Sequence, residues 1–479
     1  MRGGRALRSL SLLSLAAIGT QVLTFLLAMV VTRKLGPADY GSLNFVRTLS
    51  TYFAMPANLG LTTLAIRELS RDRQSMALHE TAALRAWVSV AMAVLMIALS
   101  PVLVGSVLER WLMVVFAVSV GLMGFEIDWA FQAAERLKPV SLARLWGTFL
   151  YCVLGAAAVT STRSVLLLAV TMLVPHLVMI FSNWSLVSTV GFARPNLALP
   201  SRKLIYERMR RAAPLGFSII MIQLYYNFDT VMLGVLSTRA EVGYYSAAYR
   251  VVTFLSNFGG LYVASTFPMY SKLHASEPGR VSIIASRAFH AAFVLAVPLG
   301  VGGSILANDL MTFAFGSGFR SSGAPFGLLV WSSAIIWLSV HFGNTLLACD
   351  GERVYMWGVA SGAVTNVVLN LILIPRFYSV GAAAATVAAE LVVMVWMVVA
   401  FDRRIIGKFE VDWWRLARVV MSSIMMGAAI VLSRPLGLWT QITLAIVTYA
   451  LLVRVLRLVP RADFDLLLDT VGTSRRHAR

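Results

Sequence analysis

Residues 10–41 read LSLLSLAAIGTQVLTFLLAMVVTRKLGPADYG. The first 23 of these residues carry no charged side chain, and the basic pair Arg33 and Lys34 and a Gly-Pro dipeptide follow them. A helix needs about 20 apolar residues to cross roughly 30 Å of hydrocarbon. The run is therefore long enough to span a membrane once, and the basic pair marks its end.

The same alternation of apolar run and short polar loop continues along the chain. Hydrophobic residues make up 58% of the 479 residues and charged residues only 13%, which is typical of a polytopic membrane protein. Periodicity and flanking charges predict about 14 spanning helices in an all-α fold. We place the spans at 10–32, 42–64, 84–106, 111–133, 142–160, 164–188, 212–235, 244–268, 288–307, 326–349, 354–374, 379–400, 416–433 and 437–456.

Lysine and arginine fall mainly on one side of these predicted spans. Of the 41 basic residues, 31 lie in the loops and termini of one side and 8 on the other. Because Lys and Arg in short loops resist translocation, we expect the basic side to be cytoplasmic. An even number of spans then puts both termini in the cytoplasm, and the protein is predicted to be a multi-pass component of the inner (plasma) membrane.

The net charge of +19 belongs to these loops, which indicates topology and contact with anionic membrane lipids, not nucleic-acid binding. Extramembrane segments of at most about 25 residues leave no room for an enzymatic domain. No phosphate loop, zinc motif or nucleophile elbow is present, so neither an enzyme nor a cofactor is expected. A membrane glycosyltransferase is disfavoured by the short outer loops.

A weak internal repeat divides the chain. Residues 35–41, LGPADYG, join the first two spans, and residues 239–245, RAEVGYY, join the seventh and eighth, so that Gly41 aligns with Gly243. Both copies begin at a cytoplasmic end and lie six spans apart, so the repeat is parallel. Parallel repeats relate two helical bundles by an axis along the membrane normal, with the substrate site at their interface.

We therefore predict two parallel six-helix bundles plus an additional C-terminal helix pair. The N-terminal bundle occupies 1–190 and the C-terminal bundle 212–400. A basic cytoplasmic linker at 191–211 joins them. The additional pair and a basic cytoplasmic tail occupy 401–479.

Several short motifs, in order along the first twelve spans, resemble one transporter family. They lie at 35–41, 58–61, 67–69, 128–132, 135–138, 229–234, 243–248, 370–376 and 381–385. Together they resemble the polysaccharide exporters of the multidrug/oligosaccharidyl-lipid/polysaccharide (MOP) superfamily, and within it the O-antigen-type (Wzx-like) flippases of lipid-linked oligosaccharides.

The resemblance implies a flippase that moves a polyprenyl-diphosphate-linked oligosaccharide from the cytoplasmic to the periplasmic leaflet for O-antigen or exopolysaccharide assembly. Two bundles would rock around a cationic cavity, and the pathway's glycan polymerase and glycosyltransferases are implied as partners. An ion-coupled multidrug antiporter and a lipid II flippase of the same superfamily stay open. Span one lacks the acidic residue that many such antiporters carry and the arginines found in early spans of lipid II flippases.

Arg47 and Arg250 stand at nearly equivalent places in the two repeats, inside spans two and eight. A charge in hydrocarbon costs several kcal/mol, so such residues tend to face a cavity or a partner. Both lie roughly 8 to 10 Å inward from the outer end of their helices. They either line the cavity, where a guanidinium suits a diphosphate, or snorkel to the outer headgroups.

Four further residues complete the predicted substrate site. Asp229 near the outer end of span seven could pair with Arg250 or carry a coupling proton. Asn58 and Asn344 carry amides that can hydrogen-bond to sugar hydroxyls, but such amides also form hydrogen bonds that join helices. Tyr226 could stack on a sugar ring or anchor the helix at the interface.

Glu126 and Asp128 lie near the cytoplasmic end of span four. On one continuous helix, residues two apart point about 200° away from each other, so we expect no paired carboxylate site and solvation of at least one group. His176 in span six is expected to make an interhelical hydrogen bond and not to carry protons.

Overall fold

The computed structural model describes residues 2–72, 76–405 and 409–459. These three ranges contain helices and connecting loops and no β-strand, so the predicted all-α fold is confirmed. The helices are α1 (Arg2–Leu35), α2 (Pro37–Asn58), α3 (Leu61–Arg71), α4 (Ala77–Leu103), α5 (Val107–Met123), α6 (Asp128–Ala133), α7 (Leu137–Thr162), α8 (Val165–Thr171), α9 (Val174–Leu186), α10 (Arg202–Leu236), α11 (Arg239–Ser276), α12 (Pro278–Ile305), α13 (Ala307–Phe315), α14 (Gly323–Ala348), α15 (Glu352–Arg404), α16 (Trp413–Leu432) and α17 (Leu438–Val455).

All the predicted spans fall on these helices. Three of the spans consist of two helices each that meet at a break, namely α2 with α3, α5 with α6, and α8 with α9. Ten segments of the described chain are long and apolar enough to cross a membrane, and α15 counts as one of them. The number of fourteen spans stays a prediction.

Helix α2 is not among the ten apolar segments. It begins with Pro37 after Gly36, whose φ of 78° allows the chain to reverse direction after α1. Arginine, asparagine, serine and threonine side chains interrupt its apolar character. A helix this polar is costly in lipid, which favours a place where its polar side chains contact protein or water.

Helix α15 is a hairpin of two antiparallel halves. Its backbone departs from helical geometry at Tyr378, where φ is 49° and ψ is −127°. The two halves then pack side by side: Trp396 Nε1 donates a hydrogen bond to the Val354 carbonyl at 3.0 Å. A Cβ at Gly358 would meet the Trp396 ring at 2.6 Å, so the glycine permits close contact there. The two halves match predicted spans 354–374 and 379–400.

The chain forms two compact units, Met1–Gly243 and Tyr244–Arg479. The first unit holds α1 to α10 and the first turn of α11, and the second holds the rest of α11 and α12 to α17. The predicted division into six-helix bundles joined by a linker stays a prediction.

The C-terminal pair α16 and α17 packs within the second unit against α12. Tyr449 Oη donates to the Val294 carbonyl at 2.6 Å, and Arg415 Nε donates to the Leu458 carbonyl at 2.8 Å. Met426 and Ile430 of α16 and Ala445 of α17 share a buried cluster. The predicted basic tail beyond residue 459 lies outside the described residues.

Candidate functional site

Four of the six predicted site residues lie on α2 and α10, which pack together in the first unit. Arg47 and Asn58 are on α2, and Tyr226 and Asp229 are on α10. Tyr52 Oη of α2 donates to the Gln223 carbonyl of α10 at 3.5 Å. The sequence motifs of spans two and seven therefore meet in space.

These four residues differ in exposure. Asp229 is 2% exposed and acts electrostatically on Tyr52, whereas Tyr226 is 49% exposed and Arg47 is also exposed. Asn58 Oδ1 is buried and has no hydrogen-bond partner among the described residues. The α2 and α10 pair thus combines a buried carboxylate, a buried amide oxygen that has no hydrogen-bond partner among the described residues, and an exposed guanidinium.

The other two predicted residues lie in the second unit, Arg250 on α11 and Asn344 on α14. Arg250 is half-buried. Asn344 is 4% exposed, and its Nδ2 donates to Thr266 Oγ1 of α11 at 3.1 Å. This bond joins two helices, which is the structural role that the sequence left open for the amide.

A buried ion pair that the sequence analysis missed lies at the predicted outer end of the first unit. Arg239, in the first turn of α11, contacts Glu109 of α5, with Nη2 3.2 Å from Oε2, and also donates to the Gly234 carbonyl. Ser42 of α2 donates to Glu109 Oε1 at 3.1 Å. The guanidinium lies 3.9 Å from the ring centroid of Phe45, a cation–π contact. We call Ser42, Glu109 and Arg239 the outer cluster.

The two repeat glycines explain how these backbones come so close. A Cβ on Gly41 would overlap the Arg239 carbonyl, and a Cβ on Gly243 would overlap the Pro37 carbonyl. The register that aligns the glycines also aligns Pro37 with Arg239. The contact is therefore reciprocal, as a two-fold relation between the repeat segments requires. Only a residue without a side chain fits at either place.

A second ion cluster lies at the other end of α10. Arg208 donates to Glu68 of α3 and to Glu80 of α4, with Nε 2.8 Å from Glu80 Oε2, and Arg211 is 3.4 Å from Glu68. We call these four residues the inner cluster. Burial lowers the pKa of Arg208, but the hydrogen bonds and charges of the two glutamates outweigh it and raise the pKa overall. The guanidinium is therefore charged at any physiological pH.

The outer and inner clusters hold α10 and the chain after it to α2, α3, α4 and α5. Residue Ser106 caps α5 and accepts a hydrogen bond from the Glu109 backbone. This Ser-x-x-Glu pattern is a visible sequence signal, but it predicts a local capping box, not a contact with Arg239, about 130 residues away. In sequence, Arg239 belongs to the segment that joins two predicted spans, and nothing local indicates that it contacts Glu109.

The predicted geometry of Glu126 and Asp128 was wrong. Helix α5 ends at Met123 and α6 begins at Asp128, so the two residues flank a break instead of sharing one helix. Glu126 contacts His176 at 2.8 Å, and Asp128 lies 3.6 Å from Arg144. Both carboxylates therefore have protein partners. The interhelical hydrogen bond expected of His176 is confirmed.

Comparison with known proteins now decides the family. A family model described as polysaccharide biosynthesis protein matches residues 6–274, more than half of the chain. The chain belongs to this family. The match covers α1 to α10 and nearly all of α11, and hence both repeat segments.

Two curated relatives of this family member come from Haloferax volcanii. The chain is 26% identical over 205 residues to a probable low-salt glycan biosynthesis flippase, covering 42% of this chain and 43% of that protein. It is 30% identical over 163 residues to a probable flippase, AglR, covering 33% of this chain and 34% of that protein. The chain thus matches less than half the length of either relative.

Solved structures share the fold at low identity. The lipid II flippase MurJ in an inward closed conformation aligns with a TM-score of 0.77 at 12% identity, over 95% of this chain and 99% of that one. An inward-facing multidrug resistance MATE transporter of the MOP superfamily aligns with a TM-score of 0.60 at 14% identity, over 80% and 95%. The family member therefore has the fold of these transporters.

Proposed function

We propose that this protein is a flippase that moves a polyprenyl-diphosphate-linked oligosaccharide from the cytoplasmic to the periplasmic leaflet of the inner membrane. The glycan belongs to O-antigen or exopolysaccharide assembly, and the mechanism is alternating access. Family membership and two relatives named as probable flippases, one of them for glycan biosynthesis, support this proposal.

The packed pair α2 and α10 is the observation that carries the proposal. It puts an exposed arginine, a buried aspartate and an amide oxygen without a hydrogen-bond partner in the described part of the chain on two adjacent helices of a largely apolar bundle. A guanidinium suits a diphosphate, and amide groups suit sugar hydroxyls. The pair therefore provides complementary chemistry for both parts of an anionic glycolipid headgroup.

The two ion clusters suit alternating access. The outer and inner clusters lie at opposite ends of α10, and each links it to different helices of the first unit. Opening one cluster while the other stays closed would expose the space beside α2 and α10 to one side of the membrane at a time. The desolvation cost of a buried ion pair offsets much of its Coulomb attraction, so the net free energy of forming the pair is small. Such pairs can therefore break and re-form during a transport cycle.

Two other functions use the same fold. A multidrug antiporter would move amphipathic cations, for which an exposed Arg47 is a poor neighbour. A lipid II flippase differs from the proposed one only in the headgroup it carries. The substrate that accumulates when the protein is removed distinguishes both the antiporter and the lipid II flippase from the proposed flippase.

Deletion of the gene in its source organism tests the substrate. We expect lipid-linked oligosaccharide to accumulate facing the cytoplasm and surface glycan to be lost, measured by lectin binding to right-side-out and inside-out vesicles. Unchanged surface glycan in a strain without a redundant transporter would contradict the proposal. Altered drug efflux alone would favour the antiporter, and accumulation of lipid II would favour the peptidoglycan pathway.

Complementation with Arg47→Ala tests the site. We expect surface glycan to fall at least about tenfold, since a lost charged contact costs roughly 1.5 to 3 kcal/mol. Arg110→Ala removes an exposed charge from the same predicted side of the membrane and is the matched control. Full export by Arg47→Ala at normal protein levels would remove Arg47 from the substrate site.

A further inference from the structure

A second set of buried polar side chains lies where two predicted spans are interrupted. Helix α5 stops at Met123 and resumes as α6 at Asp128, and α8 stops at Thr171 before α9 begins at Val174. Helix α4 packs tightly on the first break, because a Cβ at Gly124 would lie 2.6 Å from the Ser89 side chain. Interrupted helices inside transporters often hold coupling ions.

Three backbone carbonyls at the first break accept hydrogen bonds from side chains. Arg85 donates to the carbonyls of Met123, at 3.0 Å, and of Glu126. Trp184 Nε1 donates to the Phe125 carbonyl at 2.8 Å, and Trp129 Nε1 donates to that of Glu126 at 3.2 Å. These oxygens would be the natural ligands of a sodium ion, and each already accepts a hydrogen bond.

Unlike these backbone carbonyls, the Glu126 carboxylate contacts a histidine. Its Oε1 lies 2.8 Å from His176 Nδ1, and His176 Nε2 lies 2.9 Å from Ser119 Oγ. With Nδ1 protonated, a neutral imidazole accepts at Nε2 from the serine hydroxyl. A doubly protonated imidazole donates at Nε2 to the same oxygen. Rotation of one hydroxyl is therefore enough for this chain of three residues to accommodate one additional proton.

The net charge of the surrounding groups is compatible with one additional proton. Arg85 of α4 faces the break, and Asp128 of α6 faces Arg144 of α7 at 3.6 Å. With Glu126 ionised and His176 neutral, these five groups sum to zero charge, and one proton makes them positive. The side chains of Glu126 and His176 are 19% and 22% exposed. His176 lies at the middle of predicted span 164–188.

We propose that Glu126, His176 and Ser119 form the proton-binding site that couples this transporter to the transmembrane proton gradient. The coupling role rests on the proposed transport function, whereas proton binding does not. A proton from water forms a new N–H bond at His176 Nε2, the Ser119 hydroxyl turns to accept it, and the same proton leaves to water on the opposite side. Because the pair bridges two interrupted spans, its charge biases their packing.

Proton binding is tested first, on the purified full-length protein with ¹⁵N-labelled histidine. The chain has six histidines, and loss of one signal set in His176→Gln assigns this residue. We expect acidification from about pH 8 to about pH 5, the window in which histidine side chains commonly change charge, to add a second ring proton to His176, and Glu126→Gln to weaken the binding of that proton. A His176 signal that does not change over this range would overturn the proposal, whatever the transport activity.

Coupling is tested in proteoliposomes with lipid-linked oligosaccharide and an imposed pH difference. One proton per cycle should change the steady-state distribution of substrate about tenfold per pH unit, and His176→Gln, which removes the group that takes up the proton, should abolish this dependence. His79→Gln is the matched control, since His79 bonds instead to the Asn196 backbone amide. A wild-type distribution that ignores pH would overturn the coupling role. Absence of any flipping would contradict the proposed function and leave the proton titration to decide the site.

Discussion

At the residue scale, glycines and charges at the outer cluster determine how closely the repeat segments approach. Gly41 and Gly243 each face a backbone carbonyl of the other segment, and Glu109 is 3% exposed while it contacts Arg239. These are contacts in which one added methyl or one lost charge has a measurable cost.

Gly41→Ala should destabilise the protein because its Cβ would overlap the Arg239 carbonyl, which belongs to the backbone and cannot rotate away. Overpacking of this kind costs about 1–3 kcal/mol, seen as a lower melting temperature in detergent. Gly105→Ala is the control, since no atom lies within 4 Å of its Cβ position. Equal melting temperatures for the two variants would contradict the close contact.

Glu109→Gln should leave Arg239 without its charged partner and cost about 3 kcal/mol. Glu277→Gln is the matched control, because Glu277 and Arg280 form an ion pair whose side chains are 52% and 62% exposed. An exposed pair is worth at most about 1 kcal/mol. Both variants are compared by thermal unfolding, and a Glu109→Gln protein as stable as its control would mean that the outer cluster does not hold the helices together.

The sequence predicts these residue contacts only in part. The repeat aligned Gly41 with Gly243, but which backbone each glycine meets depends on helix packing, which a local motif does not encode. We assigned Arg239 to a loop because the positive-inside rule classifies Lys and Arg by their position along the chain and contains no information about their contacts. Its partner Glu109 is remote in sequence, and a single sequence contains no signal that joins them.

At the element scale, α10 connects the predicted site residues to both ion clusters. It carries Tyr226 and Asp229, packs on α2, and has an ion cluster at each end. The sequence predicted this span and its charged flanks. It missed the interruptions at α5–α6 and α8–α9, because an apolar run of correct length reads as one helix whether or not its backbone is continuous.

Arg208→Ala should release the inner end of α10. Glu68 and Glu80 would lose their shared partner, and hydrogen exchange of the amides at 202–212 should increase at least about tenfold, for a loss of roughly 1.4 kcal/mol or more in opening free energy. Arg211→Ala is the control, since that side chain is 68% exposed and contacts Glu68 at 3.4 Å. Equal exchange in the two variants would contradict a cluster centred on Arg208.

The turn of the α15 hairpin offers a stabilising change. Tyr378 has φ 49° and ψ −127°, a conformation that costs a residue with a Cβ about 1–3 kcal/mol and that glycine adopts freely. Tyr378→Gly should therefore raise the melting temperature relative to Phe377→Gly, which removes a neighbouring exposed aromatic ring from regular helix. A Tyr378→Gly protein less stable than Phe377→Gly would rule out strain at the turn.

At the scale of the whole molecule, composition and charge distribution predicted the all-α membrane fold, and motif order predicted the superfamily. The all-α fold was confirmed, because hydrophobic length and loop charge are imposed by the membrane itself. The match to a polysaccharide biosynthesis family supports the polysaccharide-exporter part of the resemblance. The predicted site residues lie on α2, α10, α11 and α14, and their role in binding substrate stays a prediction. The hydrogen bond from Asn344 to Thr266 could not be predicted, because it depends on how the two helices pack.

Flipping of lipid-linked oligosaccharide by the purified protein tests the proposed transport function without the rest of the cell. Lipid-linked oligosaccharide extracted from the deletion strain is placed in one leaflet of proteoliposomes, and its appearance in the other leaflet is followed with a membrane-impermeant lectin. We predict rapid appearance with the wild-type protein and at least about tenfold slower appearance with Arg47→Ala, the change expected for a lost charged contact. If the substrate appears no faster in vesicles with wild-type protein than in protein-free vesicles, the protein is not a flippase for this substrate.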